Sequence, residues 1–315
     1  MLKKKENISY LSQCKICGNT KLKKVMKLNE QYISATFVKS NKNNDLKKIK
    51  TPLTLSLCIQ NGNRDNCGHL QLHEIINPDL LYRNYFYRSA ISDTMRKDLK
   101  NVVENVLKIS NPDPQDIIVD IGSNDCTLLN FYKNGFKLVG FEPAKNIKFI
   151  DEDKNIKIFT NYFNSRDFNE NFKKKAKIIT SCAMFYDLEN PKKFVNDIKN
   201  ILDENGIWCV QMSYLLLMIK NLNFYDICHE HLSYYSMHTF EKLIKQFNLK
   251  VFYAETNAVN GGSIRLYVCK KECKKYDKEN FQAKLIKLRI EEEKYHLNDE
   301  NTFFIFQKKI DELKY

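Results

Sequence analysis

The sequence contains little glycine and proline, 9 and 6 residues among 315, and it has a single tryptophan. A collagen repeat or a proline-rich stalk needs far more of these residues, so both classes are excluded. No apolar run approaches the ~20 residues that a membrane-spanning helix requires. The lysines near the N-terminus are not followed by the apolar stretch of a secretory signal. We therefore expect a cytoplasmic protein with no membrane partner.

Hydrophobic residues make up 43% of the chain and charged residues 28%, as in ordinary globular proteins. A length of 315 residues predicts about two domains. The net charge of +13 would suit a nucleic acid or an acidic substrate. Because the lysines are scattered along the chain, we do not expect a dedicated nucleic-acid surface. A nucleotide-linked substrate would use the same positive potential.

Ten cysteines in a reducing compartment indicate metal binding or catalysis rather than disulfides. Two pairs of cysteines in the first quarter of the chain are each followed by a glycine, Gly18 or Gly68. Four thiolates would complete a closed tetrahedral zinc site, which is a structural type of site. The alternatives are His69 or His73 as a substitute ligand, or four free cysteines. We predict a zinc-binding domain over residues 1–75 with these ligands: Cys14, Cys17, Cys58 and Cys67.

Residues 76–112 are predicted to form a helical connector. Asn77 can cap a helix that has Pro78 in its first turn. An aromatic and basic stretch follows at residues 81–90, which either joins the core or lines a substrate pocket. An amphipathic helix is then predicted from residue 92 to about residue 109.

From residue 117 onward, short apolar runs alternate with helical patterns, as in an α/β fold with a buried parallel sheet. Five of the runs are predicted to be parallel strands, and the last two are predicted to pair as a closing hairpin. The pattern predicts a seven-stranded Rossmann-like sheet within a domain over residues 113–270. The predicted strands are residues 117–122, 137–142, 156–159, 176–181, 207–212, 251–254 and 263–268.

The loop after the first of these strands is a candidate cofactor site. It has one of the three glycines that bring the backbone close to a dinucleotide pyrophosphate. Glu142 lies 20 positions after Gly122, where an acidic residue commonly binds ribose hydroxyls. S-adenosylmethionine has no phosphate and carries positive charge, so the acidic loop favours it over NAD; an ordinary turn is the alternative. The candidate cofactor residues are Asp120, Gly122, Ser123, Asn124, Asp125 and Glu142.

Residues 225–236 contain the densest group of titratable side chains, with Glu230 between His229 and His231. In an extended stretch the two histidines would face one side and the glutamate the other. Three interpretations remain open, namely an acid/base site, a metal site and a structural loop.

These segments, in this order, resemble the S-adenosylmethionine-dependent sugar C-methyltransferases that act on nucleotide-linked 4-keto-deoxysugars. The resemblance covers roughly residues 10–310. It implies an N-terminal zinc domain, a class I Rossmann-like methyltransferase domain and a further C-terminal Rossmann-like domain. It is carried by the four cysteines, residues 120–125, residues 141–143, residues 227–232 and residues 261–265.

The family's chemistry begins with a base that removes the proton next to the sugar ketone. The resemblance implies that His231 is this base, with Glu230 and His229 beside it. It also implies that the segment with Tyr85 and Tyr87 belongs to the substrate cleft. Donor contacts are implied for Asp120, Gly122 and Glu142.

The chain departs from the family pattern at three places. Cys228 stands where a tyrosine, a proposed acid/base partner, is usual, and Cys126 stands where glycine is usual. The chain ends after one predicted helix over residues 271–315, the lead-in to the third domain. It would then be a truncated form, work with a separately encoded C-terminal domain, or be inactive. The rival functions are an RNA methyltransferase with a zinc module and a donor-binding remnant without activity.

Overall fold

A computed structural model describes residues 7–34, 50–59, 67–150 and 155–313 of the chain. The first part, called the N-terminal module, comprises the described residues from 7 to 76. Strands β2, β3 and β4 form its antiparallel sheet, and β1 pairs with β5. Leu53, Leu55 and Leu57 alternate along β3 and are buried in its core. The strands are β1 (Ile8–Tyr10), β2 (Leu22–Tyr32), β3 (Lys50–Cys58), β4 (Leu70–Leu72) and β5 (Glu74–Ile76).

Two helices connect this module to the central sheet. Helix α1 (Pro78–Tyr82) is capped by Asn77, whose side chain accepts a hydrogen bond from the N–H of Asp79. Helix α2 (Asp93–Ser110) is capped in the same way by Ser92. The apolar face of α2 is buried against the central sheet through Leu99, Val102, Val103 and Val106.

The central sheet has seven strands, which are β6 (Ile117–Ile121), β7 (Lys137–Phe141), β8 (Lys157–Phe159), β9 (Ala176–Cys182), β10 (Leu202–Ser213), β12 (Leu249–Asn257) and β13 (Ser263–Lys270). Their order in the sheet is β12-β13-β10-β9-β6-β7-β8. Neighbours among β6 to β10 are parallel, whereas β13 is antiparallel to both β10 and β12. The predicted class I Rossmann-like fold is therefore confirmed.

Helices cover the faces of this sheet and bury aromatic side chains against it. Trp208 in β10 packs against Phe185, Phe194 and Phe240, and its indole N–H donates a hydrogen bond to the Ser181 hydroxyl. The helices are α3 (Thr127–Asn130), α4 (Ser165–Asn171), α5 (Pro191–Ile201), α6 (Leu215–Lys220) and α7 (Met237–Lys245).

The two sheets are joined through one short strand, β11 (Ser233–Tyr234). It lies in the sequence between β10 and β12, yet it pairs antiparallel with β4. The N–H of Leu72 also donates a hydrogen bond to the carbonyl of Leu232. The sheet of the N-terminal module thus takes its fourth strand from residues far beyond the predicted domain boundary at 75.

The single C-terminal helix predicted for residues 271–315 is wrong, because the chain forms two helices there. Helix α8 (Glu279–Lys294) ends before His296, which has a positive φ of 46°. Helix α9 (Glu300–Glu312) begins after Asp299, whose carboxyl group caps it. Residues 314 and 315 lie outside the described residues.

Helix α9 returns to the N-terminal module. The Gln307 side chain accepts a hydrogen bond of 3.0 Å from the N–H of Lys27 on β2. Lys23 on the same strand forms an ion pair with Glu300. In the part of the chain that the structure describes, no helix is both long and apolar enough to cross a bilayer.

Candidate active site

A cavity of about 530 Å³ lies at the carboxyl ends of the parallel strands. This edge of a doubly wound sheet is where such folds bind their ligands, and the volume suits a small molecule. The end of β6 and the loop that follows it, residues 120–126, are together called the donor loop. The donor loop lines the cavity together with side chains of residues 81–90, called the aromatic connector, and the turn after β9.

The donor loop begins with a buried carboxyl group. Asp120 lines the cavity, and its Oδ1 accepts a hydrogen bond of 2.6 Å from the Thr180 hydroxyl. Burial raises the pKa of Asp120 to about 7, and the neighbouring Glu142 contributes to the rise. A polar group of a bound ligand would meet this carboxyl directly.

Gly122 makes the tight turn of the donor loop. Its φ of 73° is left-handed, and its N–H donates a hydrogen bond of 2.9 Å to the carbonyl of Phe141. A Cβ atom at this position would lie 3.2 Å from Cγ of Met184. Ser123 follows on the cavity wall, and its hydroxyl is buried without a hydrogen-bond partner among the described residues.

Glu142 follows β7 and faces the same cavity. Its two carboxyl oxygens accept hydrogen bonds from the N–H groups of Asn124, at 2.9 Å, and Ala144, at 2.8 Å. These bonds hold the carboxylate at the edge of the cavity. Since each carboxylate oxygen has two lone pairs, both can accept a further hydrogen bond from a ligand hydroxyl.

Asn124 and Asp125 hold the aromatic connector against the donor loop. The amide oxygen of Asn124 accepts from the N–H of Ser89, and Asp125 accepts from the N–H of Ala90, both at 3.0 Å. Asn124 also lines the cavity, whereas Asp125 is not among its described lining residues. Cys126 is buried in the core with a φ of 68° and does not crowd the cavity.

Four tyrosines, called the tyrosine wall, line the cavity where residues 81–90 and the turn after β9 border it. The hydroxyl of Tyr82 donates a hydrogen bond of 3.3 Å to the carbonyl of Glu230. Asp187 lies among these rings, on the turn that follows β9. The wall combines apolar rings with hydroxyl groups that can form hydrogen bonds. Its members are Tyr82, Tyr85, Tyr87 and Tyr186.

His231 lies directly behind the tyrosine wall. Its ring centroid is 4.3 Å from that of Tyr186, and the imidazole is half-buried. Nδ1 bonds to the carbonyl oxygen of Asp226 at 2.7 Å, so Nδ1 carries the proton and donates. Nε2 has no hydrogen-bond partner in the part of the chain that is described. Burial lowers the pKa of His231 to about 4, so at neutral pH the ring is neutral with a free lone pair.

His229 has different surroundings, and the expectation that both histidines face one side is wrong. Its ring is buried against the N-terminal module, where Nδ1 accepts a hydrogen bond of 3.3 Å from the N–H of Ser34. Nε2 lies 3.4 Å from the carbonyl of Thr51. The reason is that residues 227–232, called the His-Glu-His segment, bend rather than extend, so alternation does not apply.

Glu230 lies between the two histidines and is largely buried. Burial raises the pKa of its carboxyl group, and contacts with Ser34 and Cys228 partly oppose the rise. Among the described residues, neither Glu230 nor the two histidines belong to the innermost lining of the cavity. They form the layer behind the tyrosine wall.

Asp187 and Tyr186 are the residues that sequence reasoning missed. Asp187 lies five positions after the end of β9, at the same sheet edge as the donor loop. The position of a carboxylate just beyond a predicted parallel strand was the available signal. Nothing in the local pattern distinguished it from other acidic residues.

The four N-terminal cysteines meet at one point. Their sulfur atoms all lie within 4.8 Å of one another. The Sγ atoms of Cys14 and Cys67 are 3.3 Å apart, and those of Cys17 and Cys58 are 3.5 Å apart. Zinc–sulfur bonds of about 2.3 Å in a tetrahedron place sulfurs about 3.8 Å apart, so the cluster fits zinc.

Local turns explain how the cysteines converge, and the histidines do not replace them. Gly18 and Gly68, each directly after a cysteine, both have positive φ angles, 75° and 66°. The side chain of Asn19 donates a hydrogen bond to Cys58 Sγ. His69 and His73 lie outside the four-cysteine group.

Comparison with known proteins agrees with this geometry. Residues 14–82 match the family model of a zinc-binding domain, and residues 92–254 match that of a methyltransferase domain. The second match covers just over half of the chain. The predicted cofactors, S-adenosylmethionine and zinc, are therefore confirmed.

One curated relative is the C-methyltransferase NovU of Streptomyces niveus, which is 22% identical over 260 residues. The match covers 82% of this chain and 60% of the relative, so the chain spans less than two thirds of the relative's length.

Two solved structures show low similarity to this chain. An S-adenosylmethionine-dependent methyltransferase from Clostridium acetobutylicum has a TM-score of 0.44 and 14% identity, over 57% of this chain and 93% of the other. The plantazolicin methyltransferase BamL has a TM-score of 0.46 and 12% identity, over 57% and 87% of the two chains.

Proposed function

The chain belongs to the methyltransferase-domain family, and on this premise we propose that it methylates a carbon atom of a nucleotide-linked keto-deoxysugar. The observation that carries this proposal is His231, a neutral imidazole with a free Nε2 next to the tyrosine wall of the donor cavity. Carbon methylation of a ketone needs a base, because the proton beside the carbonyl must leave first.

The donor half of the cavity is assigned to residues of the donor loop and of β7. When bound, S-adenosylmethionine supplies an electrophilic methyl group. Asp120 would accept hydrogen bonds from its charged amino-acid part, and Glu142 would accept them from its ribose hydroxyls. The missing Cβ of Gly122 leaves room beside Met184 for the ligand. Ser123 offers a buried hydroxyl that has no partner in the described residues.

The acceptor half is assigned to the tyrosine wall and the layer behind it. We assign the base to Nε2 of His231, because the bond from Nδ1 to Asp226 selects the required tautomer. We assign His229 a positioning role, since both of its ring nitrogens contact the N-terminal module. Glu230, between them, would stabilise the imidazolium that forms when His231 takes the proton.

Carbon rather than oxygen is the proposed acceptor for two reasons. The relative from Streptomyces niveus is named as a C-methyltransferase, which means that it transfers the methyl group to a carbon atom. A transfer to a hydroxyl group would need no base beside a ketone, and the position of the His-Glu-His segment would remain unexplained. The resemblance noted from the sequence motifs supplies the sugar class.

The test measures both methyl transfer and hydrogen–deuterium exchange at the carbon next to the ketone. The purified chain is incubated with S-adenosylmethionine and a set of nucleotide-linked 4-keto-deoxysugars, and products are followed by mass spectrometry. In deuterated water without the donor, the base should exchange the hydrogen next to the ketone. We expect His231→Ala to lose exchange and methylation by about 10²- to 10⁴-fold while it still binds the donor. His238→Ala, an exposed histidine on α7, is the matched control.

Three other outcomes would reject the proposal. Salt-dependent RNA binding with methyl transfer to RNA would establish the rival substrate class. Donor binding without exchange or transfer, even with an added C-terminal domain, would indicate a remnant. Full exchange by His231→Ala would refute the assignment of the base.

A further inference from the structure

Asp187 lines the cavity and carries a buried carboxyl oxygen without a partner among the described residues. It ends the short 3-10 turn Phe185–Asp187, which begins three residues after the end of β9. Its Oδ1 is buried, and it has no hydrogen-bond partner among the residues that the structure describes. A buried polar atom without a partner destabilises the folded chain. Such an atom at the wall of a ligand cavity indicates a partner on the ligand.

The neighbours of Asp187 are the groups assigned to the acceptor half. The adjacent residue, Tyr186, is the ring that contacts His231 at 4.3 Å. Tyr82 lines the cavity beside Asp187 and donates its hydroxyl to the backbone of Glu230. The same turn therefore places the carboxyl group of Asp187 at the cavity wall and the ring of Tyr186 against the proposed base, His231.

The surroundings of Asp187 favour its protonated form. Burial raises the pKa of its carboxyl group well above the usual range, and the charge of Glu230 adds to the rise. The nearby hydroxyl of Tyr82 opposes the shift only in part. A neutral carboxylic acid in a closed cavity is a hydrogen-bond donor, as oxyanion stabilisation requires.

We propose that Asp187 donates a hydrogen bond from its carboxyl O–H to the keto oxygen of the substrate. This assignment rests on the proposed function. The C–H bond beside the ketone breaks and its proton goes to Nε2 of His231. The electron pair of that bond forms a carbon–carbon double bond, and negative charge collects on the oxygen that Asp187 binds. The carbon then bonds to the methyl group as the methyl–sulfur bond breaks, and the carbonyl forms again.

Asp187 keeps its proton throughout this sequence, and His231 returns its proton to water. The assignment also accounts for Cys228, which stands where the family pattern noted from the sequence motifs has a tyrosine partner. Among the described residues Cys228 is not part of the cavity lining, whereas Asp187 is. The acid partner is thus supplied from the end of β9.

The test uses the full chain and compares Asp187→Ala with Asp187→Asn, which keeps a donor of similar shape. Deuterium exchange beside the ketone without the donor measures the proposed step directly. We expect Asp187→Ala to slow exchange by roughly 10²- to 10³-fold. Asp187→Asn should retain more of the rate, and both variants should bind S-adenosylmethionine within about twofold of the parent. Glu104→Gln, an exposed carboxylate on α2, is the control.

A second measurement does not depend on turnover. The infrared difference spectrum between the parent and Asp187→Asn should contain the band of a protonated carboxyl group at neutral pH. If this band is absent, or if Asp187→Ala exchanges the hydrogen within twofold of the parent rate, the role of Asp187 is refuted while the proposed function still stands. If the parent chain shows neither exchange nor methylation of any keto-sugar nucleotide, the proposed function and this assignment fall together.

Discussion

The backbone N–H of Ser34 donates a hydrogen bond to Nδ1 of His229, across 195 positions of the chain. The N–H of His229 in turn donates to the hydroxyl of Ser34 at 3.1 Å. This reciprocal pair fixes the His-Glu-His segment to the N-terminal module, and β11 fixes its other end to β4. The module that holds the structural metal site is therefore hydrogen-bonded to the segment that carries the proposed base.

Loss of the metal should uncouple methyl transfer from donor binding. Cys58→Ser removes one of four thiolate ligands, and the N-terminal module should lose the folding energy that zinc contributes. We expect less than one zinc per chain, a lower melting temperature and at least tenfold less methyl transfer, while calorimetry still detects donor binding. Cys273→Ser, a buried cysteine outside the cluster, is the control. Full transfer by a zinc-free chain would contradict the mechanical link.

A side chain at Gly122 should damage the donor site more than the fold. Gly122→Ala puts a Cβ at a φ of 73°, which costs about 1 kcal/mol, and 3.2 Å from Met184. We expect a modest loss of stability in urea and a loss of at least tenfold in donor affinity. Gly135→Ala also places a side chain at a positive φ, of 115°, but in open space, so it should lose stability and keep its affinity. Equal affinities would argue against the donor loop.

Asp120 should make the ligand-free protein less stable as the pH rises. Its pKa is about 7 in the folded state, whereas the ordinary pKa of an aspartate is 3.8. Between these two pH values the carboxyl group is ionised in the unfolded chain and protonated in the folded chain. Asp120→Asn cannot ionise, and it should gain stability over the parent progressively from pH 4 to 7, by at most about 4 kcal/mol. Urea unfolding at several pH values measures this. A difference that does not vary with pH would show that Asp120 titrates normally.

The pH profile of catalysis should report the buried state of His231. The neutral ring is the active form, and its pKa of about 4 lies below the usual 6.5. At saturating methyl donor, the acid limb of kcat/KM for the sugar nucleotide should therefore lie well below pH 6.5. Steady-state assays with the accepted sugar nucleotide test this. A limb centred at 6.5 would indicate an exposed histidine instead.

The buried ion pair between Arg265 and Asp98 should contribute more to the free energy of unfolding than an exposed ion pair does. Arg265 is buried, with its guanidinium 3.0 Å from Asp98 and 2.8 Å from the amide oxygen of Gln211. Arg265→Met leaves the buried Asp98 unpaired, at an expected cost of about 3–5 kcal/mol. Chemical denaturation measures the change. Arg166→Met breaks an exposed pair with Glu170 and should cost less than about 1 kcal/mol; equal costs would contradict the role of burial.

The sheet and the metal site could be predicted from the sequence because their signals are local. Buried parallel strands are short apolar runs, so β6, β7 and β9 were found near their true ends. The cysteine spacing with Gly18 and Gly68 predicted convergence on one ion, since the positive φ of the glycine after Cys17 and of the glycine after Cys67 turns the chain back. Local patterns did not predict the break at His296, where packing of α9 on the N-terminal module outweighs helical propensity.

The chemistry of the candidate site was decided by tertiary structure. His229 and His231 are two positions apart with the same side chain, yet one is held by Ser34 and the other by Asp226. Asp187 differs from other aspartates only in lacking a partner for Oδ1 among the described residues, and this property exists only after folding. Sequence alone determined which groups could act, because residue type and periodicity are local. Only the fold decided which groups are satisfied, buried or free, because hydrogen-bond partners and burial come from distant parts of the chain.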